Sequence, residues 1–194
     1  MDYSDFLLFV TDRDGTTDFV FPVCLPANNC SDVNSIEVVY NVQQEMCASI
    51  TGNGDDCTDS ENICGTKFDY SIPSVIPAES TADVVVIPKS AFTGTFFGVS
   101  PGINSIVPST LRLGDYNADG FPDMLVVLKY NGTTHTQFWT SVACSADSVS
   151  PTRRTFARSS DASAIENVPN SFAATFFDLA DDGTLDMIVL SHPT

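Results

Sequence analysis

Positive charge is the scarcest feature of this chain: 8 lysines and arginines stand against 25 aspartates and glutamates, a net charge of −17 over 194 residues. Nucleic acid is held by cations that neutralise its phosphates, so no nucleic-acid partner is expected. Histidine is almost as sparse. His135 and His192 stand alone and there is no C-x-x-C, which leaves a zinc site without ligands. No G-x-S-x-G and no Ser/His/Asp arrangement is present, so the expectation is a protein that is not an enzyme. Apolar residues at helical spacing are nearly absent, and no apolar run is long enough to cross a bilayer. Met1 to Asp5 is acidic and the apolar run after it ends at Val10, so no signal peptide is legible. Any membrane attachment is expected only through a span outside this chain.

What is present is β-forming sequence. Hydrophobic residues make up 43% and aromatics 10%, enough for a packed core in one or two domains. Two short strands are expected between residues 5 and 25, ended by Pro22 and Pro26. Ile36 to Val42 and Asp83 to Ile87 read as further strands, the latter stopped by Pro88. Leu125 to Tyr130, the turn Asn131-Gly132 and Thr134 to Val142 form a hairpin, because Asn-Gly supplies the positive φ that such turns need. Arg153 to Arg158 reads as a strand with a surface arginine pair, Ser160 to Asn167 as a short helix or loop, and Phe172 to Phe177 as the approach to a last acidic loop. Phe96-Phe97 and Phe176-Phe177 are expected in the core, and Trp139 exposed on its hairpin. The class is all-β.

The acidic residues are not scattered. Asp115-Tyr-Asn117-Ala-Asp119-Gly120-Phe121-Pro-Asp123 places oxygen-bearing side chains at alternate positions of a tight turn, with Gly120 free to take the positive φ of the bend. Asp115, Asn117, Asp119 and Asp123, with the Phe121 carbonyl, can all face one point, which suits Ca²⁺ and its six to eight oxygens. An EF-hand is excluded: its twelfth position is a glutamate between helices, whereas here it is Val126 within a β-branched run. The frame recurs as Asp178-Leu-Ala180-Asp181-Asp182-Gly183-Thr184-Leu-Asp186, with Ala180 in the third place and Asp181 out of phase. It recurs again as Asp12-Arg-Asp14-Gly15-Thr16-Thr-Asp18, with Val10 in the first place. Each is one ligand short, so each reads as a weaker calcium site, a water-completed site or a plain turn.

Six cysteines, Cys24, Cys30, Cys47, Cys57, Cys64 and Cys144, read as disulfides of an oxidising compartment. Local pairing would join Cys24 to Cys30 and Cys57 to Cys64, leaving Cys47 for Cys144. Asn29-Cys-Ser and Asn131-Gly-Thr are glycosylation sequons. Together they point to an extracellular or secretory-lumenal location. A secreted-type body with no leader reads as a fragment or mature segment of a longer chain.

Leu111 to Lys129 and Ala174 to Ser191, with the first acidic loop running into Phe21-Pro-Val-Cys24 and on to Cys30, and Gly94-Thr-Phe-Phe-Gly98, resemble the T-cell immunomodulatory protein family, also called LINKIN or integrin-α FG-GAP repeat-containing proteins. The order and phase of all four blocks agree. The polar cysteine loop 47–66 lies outside the pattern, and a second cysteine that the family tends to carry soon after Cys144 is missing. The resemblance implies FG-GAP blades from the C-terminal part of a β-propeller, approximately residues 1–90, 91–160 and 161–194. It further implies the ectodomain of a single-pass membrane glycoprotein. About three blades fall short of the minimum of about four that close a propeller, so open sheet edges are expected to meet the rest of a propeller or other chains. The function expected is a non-enzymatic, calcium-stabilised module for cell adhesion or surface recognition through protein partners. The alternative is a structural subunit that packs through its open edges.

Overall fold

The runs of β-branched residues fold as antiparallel strands, because period-2 alternation lets each strand bury one face or both. The structure, a computed structural model, describes residues 7–9, 17–24, 33–40, 84–96, 111–145, 153–160 and 163–193. The first sheet is a four-stranded meander, β1 (Leu7–Phe9), β2 (Asp18–Cys24), β3 (Val33–Val39) and β4 (Val84–Pro88), in chain order. The second sheet repeats that order with β6 (Leu111–Gly114), β7 (Asp123–Tyr130), β8 (Thr133–Ala143) and β9 (Arg154–Arg158). A short β5 (Thr95–Phe96) pairs with Leu128 and Lys129 on the edge of β7 that β6 leaves free beyond Val126. The third sheet is the hairpin β10 (Ser171–Phe177) and β11 (Asp186–Ser191). The one α-helix among the described residues, α1 (Ser163–Glu166), precedes it. No described helix is long and apolar enough to cross a membrane.

The strands sort their side chains by parity, and this stacks the sheets. Met124, Val126 and Leu128 on β7 join one buried cluster with Val20, Ile36, Val38, Val85 and Ile87 of the first sheet. Leu125 and Phe138 point the other way, onto Ala174, Phe176 and Met187 of the hairpin. The second sheet is therefore buried on both faces, which is why β7 reads as a continuous apolar run. Burying each of these side chains is worth about 1.5–3 kcal/mol, against about 1 kcal/mol net for a hydrogen bond. Sheet-on-sheet contact thus contributes more stability per residue than the ladders do.

Particular residues lock the stack. The Tyr40 hydroxyl donates to the Arg154 carbonyl at 2.6 Å and accepts the Arg154 N–H at 2.9 Å, tying the first sheet to β9. The Arg153 guanidinium lies 4.5 Å from the centre of the Tyr40 ring. On the opposite face, a Cβ at Gly114 would stand 2.7 Å from the Phe176 ring, so only glycine lets the hairpin close on β6.

The Asn131-Gly132 turn forms as expected, with φ of 50° and 84°. Elsewhere the sequence expectations need correction. Pro22 does not end its strand but pairs with Ile36 inside β2, whereas β4 ends at Pro88 as expected. Among the described residues, β1 pairs with β2 only as far as Val20. Trp139 is buried against Phe92, ring centres 4.5 Å apart, rather than exposed. Of the pair Phe176-Phe177, only Phe176 enters the core. Phe177 is 57% exposed. Residues 47–66 lie outside the described residues.

Candidate metal centre

Each acidic loop connects the same two strands of its sheet in the same register. Gly114 stands opposite Asp123, Phe177 opposite Asp186 and Phe9 opposite Asp18. Residues 115–122, 178–185 and 10–17 are therefore connections of equal length, and the closing aspartate begins the next strand in all three.

In loop 115–123 the carboxylates first organise the backbone. Asp115 accepts the Asp119 N–H on Oδ1 at 3.0 Å and the Gly120 N–H on Oδ2 at 2.8 Å. Asn117 Oδ1 accepts the Asp119 N–H at 2.9 Å while its Nδ2 donates to Asp119 Oδ2 at 3.1 Å. Asp119 Oδ1 accepts the Phe121 N–H at 2.8 Å. Asp123 accepts the Tyr116 N–H at 3.2 Å and, from across the sheet, the Ser141 N–H of β8 at 2.9 Å. The chain turns through two left-handed residues, Ala118 at φ 55° and Gly120 at 85°. The glycine was legible in the sequence. Ala118 was not, since an alanine there costs on the order of 1–2 kcal/mol and only the surrounding hydrogen bonds hold it.

Loop 178–186 repeats the aspartate-to-amide bonds made within this frame. Asp178 accepts the Asp182 and Gly183 N–H groups at 3.2 and 2.9 Å, Asp182 the Thr184 N–H at 2.9 Å, and Asp186 the Leu179 N–H at 3.0 Å. Asp181 at φ 55° and Gly183 at 83° take the left-handed positions. Asp181 therefore stands where Ala118 does and is exposed, as its phase implied. With Ala180 in the third place, the amide brace is missing. The Thr184 hydroxyl instead donates to Asp182 Oδ1 at 2.6 Å. Of the first loop, Asp12, Asp14 and Thr16 lie outside the described residues, and Asp18 opens β2 fully buried.

The electrostatics of the two described loops diverge. Burial pushes the Asp123 carboxyl above its ordinary range, opposed by the N–H groups of Ser141, Asn117 and Tyr116 and aided by the charge of Asp119. Asp182 is held below the ordinary range by the Thr184 hydroxyl and amide. Among the described residues, a buttress supports the first of these loops only. Arg154 lays its guanidinium 3.8 Å from the centre of the Phe121 ring, and donates to the Ser141 hydroxyl at 3.1 Å and carbonyl at 2.9 Å. Ser141 in turn holds Asp123. Read in sequence as a surface residue, Arg154 is half-buried and engaged, and no local pattern pairs it with a loop some thirty residues away.

The donor set of loop 115–123 is all oxygen, the chemistry a hard cation takes. A carboxylate oxygen that accepts one N–H keeps a lone pair, so the frame leaves acceptors unused. No three His, Cys, Asp or Glu side chains gather into a metal-holding group among the described residues. A site here needs Asn117 and a backbone carbonyl besides the carboxylates.

Of the other expected sites, Asn131 is exposed at the tip of the β7–β8 turn. Cys144 follows β8 half-buried, its N–H on the Arg153 carbonyl, and Cys24 ends β2. Asn29, Cys30, Cys47, Cys57 and Cys64 lie outside the described residues.

The chain is homologous to part of the T-cell immunomodulatory proteins. It is 37% identical to the Rattus norvegicus protein over 114 residues, 55% of this chain and 19% of that protein. The Homo sapiens protein is 34% identical over 116 residues, 56% of this chain and 19% of that protein. A T-cell immunomodulatory protein homolog of Plasmodium yoelii yoelii is 26% identical over 186 residues, 91% of this chain and 25% of that protein. The chain thus spans about a fifth of the length of these Rattus norvegicus and Homo sapiens relatives. No family model matches it, and no solved structure does.

Proposed function

We propose that this chain is a calcium-stabilised, non-enzymatic module of FG-GAP propeller type within a cell-surface recognition protein. The observation that carries the reading is the repeated loop frame: the same aspartates, the same left-handed positions and the same strand register, with a full oxygen donor set at Asp115, Asn117, Asp119, Phe121 and Asp123. Asp178, Asp182, Thr184 and Asp186 would form a weaker site. Calcium would offset carboxylate repulsion and rigidify the crossing between strands, with no chemistry to perform. The homology to T-cell immunomodulatory proteins and the exposed sequon asparagine, Asn131, support a surface location. Thermal unfolding in calcium and in EGTA, beside Asp119→Ala, tests the reading. A midpoint several degrees higher in calcium, lost in the variant, is expected from linkage. No response to either would reduce the loop to an acidic turn.

A second reading, a structural subunit that packs against further sheets, is favoured by one observation: the outer side of the hairpin leaves Phe177 and Leu190 57% and 50% exposed.

A further inference from the structure

β8 carries a row of polar side chains away from the acidic loops. His135, Gln137 and Trp139 stand opposite Leu128, Val126 and Met124 of β7, on one face of the sheet. Gln137 is 0% exposed and Trp139 4%, so their polar atoms need partners inside the protein. The Trp139 Nε1–H donates to Gln137 Oε1 at 3.3 Å, and Gln137 Nε2 stands 3.5 Å from Nε2 of the half-buried His135. The segment before β5 and α1 close over this row. Phe92 lies on Trp139, ring centres 4.5 Å apart. Arg158 of β9 donates to the Thr93 hydroxyl at 3.3 Å and to both carboxylate oxygens of Glu166 at 3.0 and 2.7 Å.

The row can be wired in one direction only. An indole N–H donates and never accepts, so it fixes the Gln137 oxygen on the Trp139 side and the amide nitrogen on the His135 side. That nitrogen is a donor, so His135 Nε2 must be the bare, accepting nitrogen and the ring proton sits on Nδ1. A second proton, at Nε2, sets N–H against N–H. Rotating the Gln137 amide only moves the conflict to the buried indole. The charges facing the ring do not relieve it. Glu166 of α1 favours imidazolium and Arg158 of β9 opposes it, and the two are paired with each other. The Thr93 backbone favours the charged ring, and Tyr130 of β7 stands perpendicular to it at 6.4 Å. Burial is the largest influence and holds the imidazole below its ordinary 6.5.

We propose that His135 is an acid-sensitive latch: a proton at Nε2 breaks the Trp139–Gln137–His135 array and loosens β8 from the segment that carries Phe92 and Thr93. The same proton draws Glu166 toward the imidazolium and away from Arg158, the residue that also holds Thr93. Neither calcium nor the stacked repeat enters this device. Trp139 is the only tryptophan of the chain, so its emission reports on the array directly.

The full chain is titrated from about pH 8 to about 4.5, where imidazole changes charge. A Glu37→Gln background removes the carboxyl that burial raises to about 7. NMR of the ring protons follows His135, with His192→Asn assigning the second signal, and Trp139 emission is read on the same samples. Both are expected to change at one midpoint, below 6.5. Gln137→Met removes the opposed donor and is expected to raise the His135 midpoint. Burial alone would leave it unchanged or lower it, since the new neighbour is more apolar. Gln137→Glu accepts from indole and imidazolium together and is expected to carry the midpoint above 6.5. Amide exchange at residues 92–96, corrected for its intrinsic pH dependence, is expected to quicken below the midpoint in the parent and not in Gln137→Glu. A midpoint in Gln137→Met at or below the parent's overturns the proposal. So does Trp139 emission that stays flat while His135 titrates, which decides the matter even if neither Gln137 variant folds.

Discussion

Two loops in this molecule share one backbone and differ in what surrounds it. Loops 115–123 and 178–186 have the same aspartate-to-amide bonds and the same pair of left-handed residues. The shape therefore depends on the first, fifth and ninth positions and does not need the third, because Ala180 leaves it intact. Asn117 is then not required for this backbone, although it braces Asp119, and it stands beside carboxylate lone pairs that the frame leaves unused. The second difference is anchoring. Asp123 is inaccessible and tied to β8, while Asp186 is half-buried and holds the Leu179 amide of its own loop.

The anchoring difference gives the largest expected effect. Asp123→Ala strands the Ser141 and Tyr116 N–H groups, and an unsatisfied buried donor costs about 1–3 kcal/mol. We expect a loss on the order of 3 kcal/mol in urea unfolding. Asp186→Ala should cost about 1 kcal/mol, the median for a substitution. Equal losses would break the comparison.

A buried carboxylate outside the loops sharpens it. Glu37, on the backward face of the first sheet, is 2% exposed. Ser35 donates to Oε1 at 3.1 Å, and Oε2 has no partner. Burial pushes its pKa up to about 7, with the Ser35 hydroxyl opposing. The folded state therefore favours the protonated form. Its stabilising contribution is complete below the unfolded value of 4.5 and is lost as pH rises through about 7. The loss amounts to on the order of 3 kcal/mol by pH 8. Glu37→Gln should flatten that window. The exposed Asp182 has the opposite sign: held low by Thr184, it adds stability above its ordinary value of 3.8 that is lost as pH falls. Stability measured from about pH 2 to 8 distinguishes the two, Asp182 acting at the acid end and Glu37 between 4.5 and about 7.

The repeat also predicts unequal responses at equivalent positions before the loops. Gly114→Ala drives a Cβ into the Phe176 ring at 2.7 Å, an overpacking cost of about 1–3 kcal/mol. Phe177→Ala, at the counterpart on the hairpin, should cost well under 1 kcal/mol in this chain. Chemical denaturation of both variants is the check.

Much of this is legible in the sequence. β-branched runs and Asn131-Gly132 located the strands and the hairpin, and the aspartate phase located the loops, because those signals are local. What escaped was set by contacts distant in sequence. Nothing near Gly114 announces Phe176, nothing near Arg154 announces Phe121, and Glu37 in its strand reads as a solvated charge. Trp139 and Phe177 exchanged roles for the same reason. Their exposure depends on which face has a neighbour, and a strand's alternation records two faces without saying which of them is covered. The two prolines part company: Pro88 ends β4 as its sequence implied, whereas Pro22 is carried inside β2 opposite Ile36.

The smallest effect is the one that isolates the third position. Asn117→Ala copies the third position of loop 178–186 into loop 115–123, and Ala180→Asn makes the reciprocal change. Both backbones keep their frame, so stability in EGTA should move by less than about 1 kcal/mol. In calcium the proposal predicts divergence. Asn117→Ala should lose most of the rise in melting temperature. Ala180→Asn should add to it, by up to about 2.7 kcal/mol if the metal stands at a hundredfold over its dissociation constant. Thr184 limits the gain, since its hydroxyl already occupies Asp182 Oδ1, so Ala180→Asn with Thr184→Phe should respond more than Ala180→Asn alone. If the double variant gains nothing while Asn117→Ala loses the effect, the anchoring of Asp123 by Ser141 and Arg154, rather than the third ligand, is what separates the two loops.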